Sequence, residues 1–235
     1  MKLAISQPTF LPWAGYFALI DHVDEFIYLD NVQFTKRSWM QRNKIKSNDK
    51  ELYLTISVNS KKKYLQKIND VEIDYDNLKK DKLLKSIKMS YTKSKFFKKY
   101  FGLLEKVFEK ENQKLIDLNI GLITEISNVI GIKTPKIIAS ELDNNFSENN
   151  INLLKRICQL RECRDYISTI GAKEYMGDIK KFEDTKINIS FFEYFDVGYR
   201  QIGKKFISHL SILDLLFNEG PNTINILRKN FKIIN

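Results

Sequence analysis

One polar stretch of the chain collects the side-chain types that bind a nucleotide. Residues 30–46, DNVQFTKRSWMQRNKIK, carry five basic residues and no acid between positions 35 and 46. Arginine forks bind phosphates through paired hydrogen bonds, and an indole stacks on an aromatic ring. The stretch therefore predicts a site for phosphates and a base, with a solvated basic loop as the alternative. Its candidate residues are Asp30, Gln33, Arg37, Trp39, Arg42 and Asn43.

A second stretch, QPTFLPWAGYF at residues 7–17, follows a short apolar run at residues 2–6. The run predicts a buried strand, and Pro12 suits the first position of a helix. In open parallel sheets the loops after the strands form the ligand crevice, and a helix N-terminus there favours anions. Gln7 and Tyr16 are the candidate binding residues, and a proline-stiffened turn with packed aromatic rings is the alternative.

A third stretch, residues 199–221, is rich in polar side chains just before and within a predicted helix. Ser211 suits the N-cap of that helix, so a simple cap and a surface-exposed Asp214 are the structural alternative to a functional role. The stretch includes Tyr199, Gln201, His209, Ser211, Asp214 and Asn218.

The surrounding pattern predicts an α/β fold that positions these stretches. Apolar runs at residues 2–6 and 26–29 flank a helical pattern, and strand, helix, strand within some 30 residues is typical of a parallel βαβ unit. Residues 51–58, 71–75, 134–142, 166–171 and 187–195 predict further strands. Residues 77–131 have helical periodicity ending at Gly131, and residues 148–164, 173–185 and 208–220 predict further helices. We expect a mostly parallel sheet with a mainly helical insertion at 77–131, within one α/β domain covering 1–235.

Charge is concentrated in one part of the chain. The net charge is +10, and residues 79–99 hold nine lysines against one acid. A solvated helix face explains such a run, while a patch for tRNA, through Lys79–Lys99, or for an anionic membrane is the alternative. The two histidines and two cysteines predict neither a metal site nor a disulfide. No apolar run approaches the roughly 20 residues of a membrane-spanning helix, and the first residues do not resemble a signal peptide, so we expect a cytoplasmic protein.

The three stretches together resemble the WbqC-like family of bacterial proteins. The resemblance extends to Tyr166, Ser168, Gly171, Ala172, Lys173 and Tyr175, and therefore spans almost the whole chain. Among the family-like positions are Pro8, Pro12, Gly15 and Phe206, besides the candidates above. Two positions depart from the pattern: Gln41 replaces a frequent Asn, and His209 lies where Pro or a small residue is common. The resemblance therefore implies no general-base role for His209.

The resemblance implies a role in O-antigen or other surface-polysaccharide biosynthesis. The expected reaction transfers an acyl or aminoacyl group, with glycyl as the suggested case, to the amine of a nucleotide-activated amino sugar. The attacking amine must lose a proton, and Asp30 is the preferred base, followed by His22 and Asp214. No cofactor is identifiable; the acyl donor is a coenzyme A thioester, an aminoacyl adenylate or an aminoacyl-tRNA. The alternative function is non-enzymatic binding of a nucleotide or RNA through residues 79–99.

Overall fold

Short apolar runs form a six-stranded sheet at the centre of the molecule. The structure is a computed structural model, and it describes residues 1–142, 151–172, 182 and 185–234. The strand order is β5-β2-β1-β6-β7-β8, with all neighbouring pairs parallel except β7 and β8. The strands are β1 (Lys2–Ser6), β2 (Glu25–Tyr28), β5 (Lys136–Ile138), β6 (Asp165–Thr169), β7 (Asn188–Tyr194) and β8 (Phe231–Ile234). A separate antiparallel hairpin contains β3 (Arg42–Ser47) and β4 (Lys50–Thr55).

Helices cover both faces of the sheet. They are α1 (Ala14–His22), α2 (Lys80–Tyr91), α3 (Phe97–Glu109), α4 (Leu115–Ile130), α5 (Ala139–Leu142), α6 (Ile151–Leu160), α7 (Ile212–Glu219) and α8 (Thr223–Lys229). Alternate residues of each strand face opposite sides, so Ala4 and Phe26 join one apolar core and Leu3 and Ile27 another. No helix in the described ranges is long and apolar enough to span a membrane.

The first βαβ unit confirms the sequence-based prediction. β1 and β2 are parallel neighbours, with Ala4 opposite Phe26, and α1 connects them. Their central residues are fully buried because both sheet faces are covered, which explains the continuous apolar runs.

The predicted helical insertion consists of α2, α3 and α4. The expected apolar face of α3 is buried, and α4 ends at Gly131, whose left-handed φ of 87° suits a glycine. Leu104 of α3 and Ile123 of α4 belong to the same core as Phe17 and Phe26 of the βαβ unit. The insertion therefore packs directly onto the sheet's helical layer.

Other elements differ from the predicted pattern. Residues 42–47 form β3 instead of a loop, since Asn48 and Asp49, with φ of 49° and 59°, make a two-residue turn to β4. Residues 71–75 form only isolated bridges, 139–142 are helical, and β8 was not expected. Of the helix predicted at 173–185, residues 173–181, 183 and 184 lie outside the described residues. Cys158 and Cys163 are free and buried.

Two buried amides join the loop after β1 to residues 38–43. Asn119 of α4 donates through its Nδ2 to the carbonyl oxygens of Pro8, at 3.0 Å, and Met40, at 2.8 Å. Asn43 donates in the same way to Phe10, at 3.1 Å, and Leu11, at 2.8 Å. These bonds satisfy carbonyl groups that no strand or helix could pair, and they fix two loops against each other.

Asn119→Ala should therefore lower the free energy of unfolding by about 2–4 kcal/mol, because it leaves two buried carbonyl oxygens without a donor. Urea denaturation measures this change. The matched control is Asn128→Ala on the exposed face of the same helix, which should change stability by less than about 0.5 kcal/mol. Equal effects of the two substitutions would contradict the role given to the Asn119 amide.

Candidate functional site

A crevice opens where the strand order of the sheet reverses. β1 continues through α1 to β2 on one side, while β6 adds to its other side, so the switch point lies between β1 and β6. Ser6 and Thr169, at the carboxyl ends of these two strands, line a cavity of about 320 Å³. Open α/β sheets bind their ligands at this position, and the volume suits a small molecule.

Aromatic side chains dominate the crevice. Trp13, Tyr16 and Trp39 line it, and Trp39 is 50% exposed. The Trp13 indole lies directly against Gly15, where an added Cβ would come within 2.5 Å of the ring. Glycine at this family-like position therefore allows Trp13 to lie along the start of α1. The aromatic rings that line the crevice offer flat surfaces for a base or a sugar.

One imidazole completes the crevice. The His209 ring stacks on Trp13 with a centroid distance of 5.1 Å and an interplanar angle of 28°. The backbone N–H of His209 donates to Asp196 Oδ2 at 2.5 Å. This bond holds the backbone of His209, which has a positive φ of 55°. Burial raises the pKa of Asp196. The exposed imidazole therefore lies in the crevice where a ligand can reach it.

The other polar groups of the crevice have fixed positions. The Tyr16 hydroxyl donates to the Gln7 carbonyl oxygen at 3.0 Å, and burial raises the pKa of Tyr16, so its hydroxyl stays neutral. Lys44 also lines the crevice, with its ammonium group 2.6 Å from Glu51. Backbone bonds from Ser211 N to Lys44 O and from Ile212 N to Pro12 O join the start of α7 to both walls.

A second cavity, which we call the basic cleft, lies beside residues 200–203. Its volume is about 550 Å³, and Lys93, Lys95 and Arg200 line it together with Gln201, Gly203 and Asn218. None of the lining residues that the structure describes is acidic.

A buried carboxylate supports the basic cleft. Asp214 is fully buried and accepts hydrogen bonds from Tyr91 Oη, at 2.8 Å, and Tyr199 Oη, at 2.7 Å. Each phenol oxygen in turn accepts an N–H, from the Lys46 backbone and from Gln201 Nε2 respectively. Both phenols therefore direct their own protons at Asp214. The alternative of a surface-exposed Asp214 is wrong.

The structure brings some predicted site residues together in two groups. Tyr16, Trp39 and Asn43 line the crevice, and Gln201 and Asn218 line the basic cleft. Tyr199 and Asp214 lie behind the cleft as hydrogen-bonded supports. Ser211 caps α7, with its Oγ accepting from Leu213 N, as predicted.

Other candidates lie elsewhere. Asp30 is buried, and its two carboxylate oxygens accept from the backbone N–H and the hydroxyl of Ser140. His22 ends α1 beside the start of β2, at the opposite end of the sheet from the crevice, and contacts Phe192 and Phe231.

Three more candidates lie outside the lining of both cavities. Gln33 donates to the Tyr64 carbonyl oxygen, Arg37 is exposed, and Arg42 lies over the Tyr53 ring at 5.1 Å. Lys173 and Tyr175, which belong to the resemblance, lie outside the described residues.

Sequence reasoning missed several lining residues. Thr169 needs the pairing of β1 with β6, which joins positions more than 160 residues apart and has no local signal. Lys93 and Lys95 are hidden within a long lysine run, and Arg200 lies directly beside the candidate Gln201. The sequence therefore identified Gln201 as a candidate, but it did not show which distant segment lies beside it in the basic cleft.

The buried Asp214 should make the free energy of unfolding decrease as the pH rises. Burial raises its pKa above the ordinary value of about 3.9, although the tyrosine hydrogen bonds lower it. The folded chain thus binds the proton more tightly than the unfolded chain, so stability falls as the pH rises from about 4 through the folded-state pKa. Asp214→Asn lacks this titration. The unfolding free energy of the parent minus that of the variant, from urea denaturation, should therefore decrease between pH 4 and pH 7. A difference that grows with pH would show that the hydrogen bonds outweigh burial.

Comparison with known proteins assigns a family. The WbqC-like protein family matches residues 7–226, which include the named lining of the basic cleft and that of the crevice except Ser6. A Mycobacterium tuberculosis (strain ATCC 25618 / H37Rv) protein, named uncharacterized protein Rv1507c, is 33% identical over 229 residues, covering 97% of each chain. No solved structure matches significantly. The chain therefore belongs to the WbqC-like protein family.

Proposed function

We propose that the protein is a transferase of surface-polysaccharide biosynthesis that moves an acyl or aminoacyl group, such as glycyl, to the amine of a nucleotide-linked amino sugar. The observation that carries the proposal is the crevice at the strand switch point, where two indoles and an accessible imidazole converge. Flat rings suit a base or sugar, and the imidazole suits an amine that must lose a proton.

His209 is the proposed general base in this chain. Similar proteins often carry Pro or another small residue at this position, so the proposal concerns this chain and not the whole family. The neutral amine nitrogen forms a bond to the carbonyl carbon of the donor, the π electrons of the carbonyl group move to its oxygen, and His209 accepts a proton from the attacking nitrogen. The tetrahedral intermediate then collapses, the bond from carbon to the donor's leaving group breaks, and the imidazolium returns the proton to that group. Asp196 fixes the position of His209 through the backbone N–H. Asp30, in contrast, already accepts two bonds from Ser140.

The chain offers a selective probe for this proposal. It has two tryptophans, and both line the crevice, so intrinsic fluorescence reports on that site. Titration with a nucleotide-linked amino sugar should change the fluorescence saturably. If a panel of such sugars at millimolar concentration leaves both fluorescence and melting temperature unchanged, the proposed substrate class is wrong.

Non-enzymatic binding of RNA is the second candidate function. The exposed lysines on α2 and α3, including Lys85, Lys88, Lys98 and Lys99, favour it. Phosphate contacts of this kind give an affinity that falls steeply with salt. RNA binding without turnover of any amino sugar would support this candidate over the transferase.

Trp39→Ala should weaken binding of the nucleotide-linked amino sugar by about 5- to 100-fold, because stacking on an aromatic side chain is worth about 1–3 kcal/mol per base. Isothermal titration calorimetry measures the change directly. The control is Tyr64→Ala, which removes an 80% exposed ring outside the crevice lining and should leave the affinity unchanged. If the Trp39→Ala variant binds the sugar as tightly as the parent protein, the Trp39 indole is not part of the binding site.

His209→Gln should lower kcat by about 10²- to 10⁴-fold, with little change in KM, because it removes a proton acceptor while keeping a polar side chain. Mass spectrometry of the acylated nucleotide sugar measures turnover with each class of donor. His22→Gln is the matched control, since His22 lies at the other end of the sheet and should leave kcat unchanged. If His22→Gln abolishes turnover and His209→Gln does not, the assignment of the base is wrong.

A further inference from the structure

The basic cleft contains positive charge that the protein itself does not neutralise. Lys93, Lys95 and Arg200 are exposed, and within the described part of the chain none of the three forms an ion pair. Other lysines behave differently: Lys44 pairs with Glu51 at 2.6 Å and Lys80 with Glu111 at 3.1 Å. The Asp49 carboxylate, which lies against Gly203, already pairs with Lys46 at 3.0 Å, so the three unpaired cations on this concave surface favour an anionic ligand.

The lysine side of the cleft is held rigidly. Residues 92–96 connect α2 to α3, and they are fixed by bonds from Ser94 N to Tyr91 O, at 2.8 Å, and from Phe96 N to Phe217 O, at 2.9 Å. The Phe96 ring packs so closely on Gly220 that an added Cβ there would lie 2.4 Å away. The backbone that carries the two lysines is therefore preorganised, which reduces the entropy lost when a ligand binds.

The arginine side is also held rigidly. Gln201 exchanges hydrogen bonds with the backbone of Ile207, donating at 2.8 Å and accepting at 2.9 Å. Gly203 has a φ of 97°, and an added Cβ would meet the Asp49 carboxylate at 2.1 Å. That carboxylate accepts the backbone N–H groups of Lys204 and Lys205. Arg200 therefore lies between Tyr199, whose hydroxyl donates to Asp214, and the bonded segment that begins at Gln201.

One buried polar group at the basic cleft has no hydrogen-bond partner among the described residues. Ser94 lines the cleft and is only 7% exposed, yet its hydroxyl has no hydrogen-bond partner among the described residues. Buried hydroxyls without a partner are rare in folded proteins and call for a ligand or a bound water.

We propose that the basic cleft binds the phosphate group of the acyl donor, an assignment that rests on the transferase function proposed above. The segment 196–211 links the two cavities, because Arg200 and Gln201 line the cleft and His209 lines the crevice. A donor anchored by its phosphate in the cleft extends its acyl group along this segment toward the amine beside His209. Coenzyme A thioesters and aminoacyl adenylates both contain the required phosphate.

The test measures binding of inorganic pyrophosphate, coenzyme A and adenosine monophosphate to the full chain by calorimetry at two ionic strengths. Arg200→Gln and the double variant Lys93→Gln/Lys95→Gln should each weaken pyrophosphate about tenfold or more. The control, Lys85→Gln/Lys88→Gln, removes the same charge from the exposed face of α2 and should change affinity less than about twofold, since distant charges are screened. Preference for coenzyme A over adenosine monophosphate identifies a thioester donor, and the reverse identifies an adenylate.

The outcomes separate this proposal from the proposed function. Cleft variants that lose pyrophosphate but retain the fluorescence response to the amino sugar support two distinct sites. Equal losses in the cleft and control variants, or parent protein that binds none of the three phosphates, overturn the cleft assignment. RNA binding that falls equally in both double variants, without pyrophosphate binding, overturns it in favour of a diffuse RNA surface. If no amino sugar changes the fluorescence while pyrophosphate binds in the cleft, the proposed function fails and the phosphate site remains.

Discussion

The buried carboxylate of Asp214 is the interaction on which the arrangement of the basic cleft depends. It lies in the first turn of α7 and accepts bonds from Tyr91 at the end of α2 and from Tyr199 in the segment that follows β7. Through the two phenols it also positions the Lys46 backbone of β3 and the side chain of Gln201. An ionisable group in the core costs free energy unless all its acceptor positions are used. Here that requirement joins four chain segments, which are α7, the end of α2, β3 and the segment after β7. Asn218 of α7 and Gln201 of the segment after β7 line the basic cleft.

The crevice follows the same principle with neutral groups. The loop after β1 contains Pro8 and Pro12, so it pairs with no strand, and the amides of Asn43 and Asn119 bind its carbonyl groups instead. This arrangement holds Trp13 and Trp39 on opposite loops in fixed positions while their rings stay accessible to a ligand. A site prepared in this way loses little entropy when it binds a substrate.

The fold could be predicted from local patterns, and the site only in part. The continuous apolar runs of β1 and β2, the periodicity of α3, and the caps at Ser211 and Gly131 are all local signals, and the structure confirms them. The pairing of β1 with β6 depends on distant segments, so Thr169 could not be placed beside Ser6. The sequence left open whether Asp214 is a surface residue or a functional one, because the two tyrosines that bind it lie 123 and 15 positions away. Composition alone therefore identified polar residues of interest without showing whether they support the site or contact the ligand.

The crystal structure of a complex with a nucleotide-linked amino sugar tests the central claim most directly. The account predicts that the ligand occupies the crevice, in contact with Trp13 and Trp39, with its amine within hydrogen-bonding distance of the His209 imidazole. The basic cleft should remain open to the phosphate of the donor. A ligand bound along the exposed Arg37, or one whose amine lies next to Asp30 and away from His209, would contradict the account.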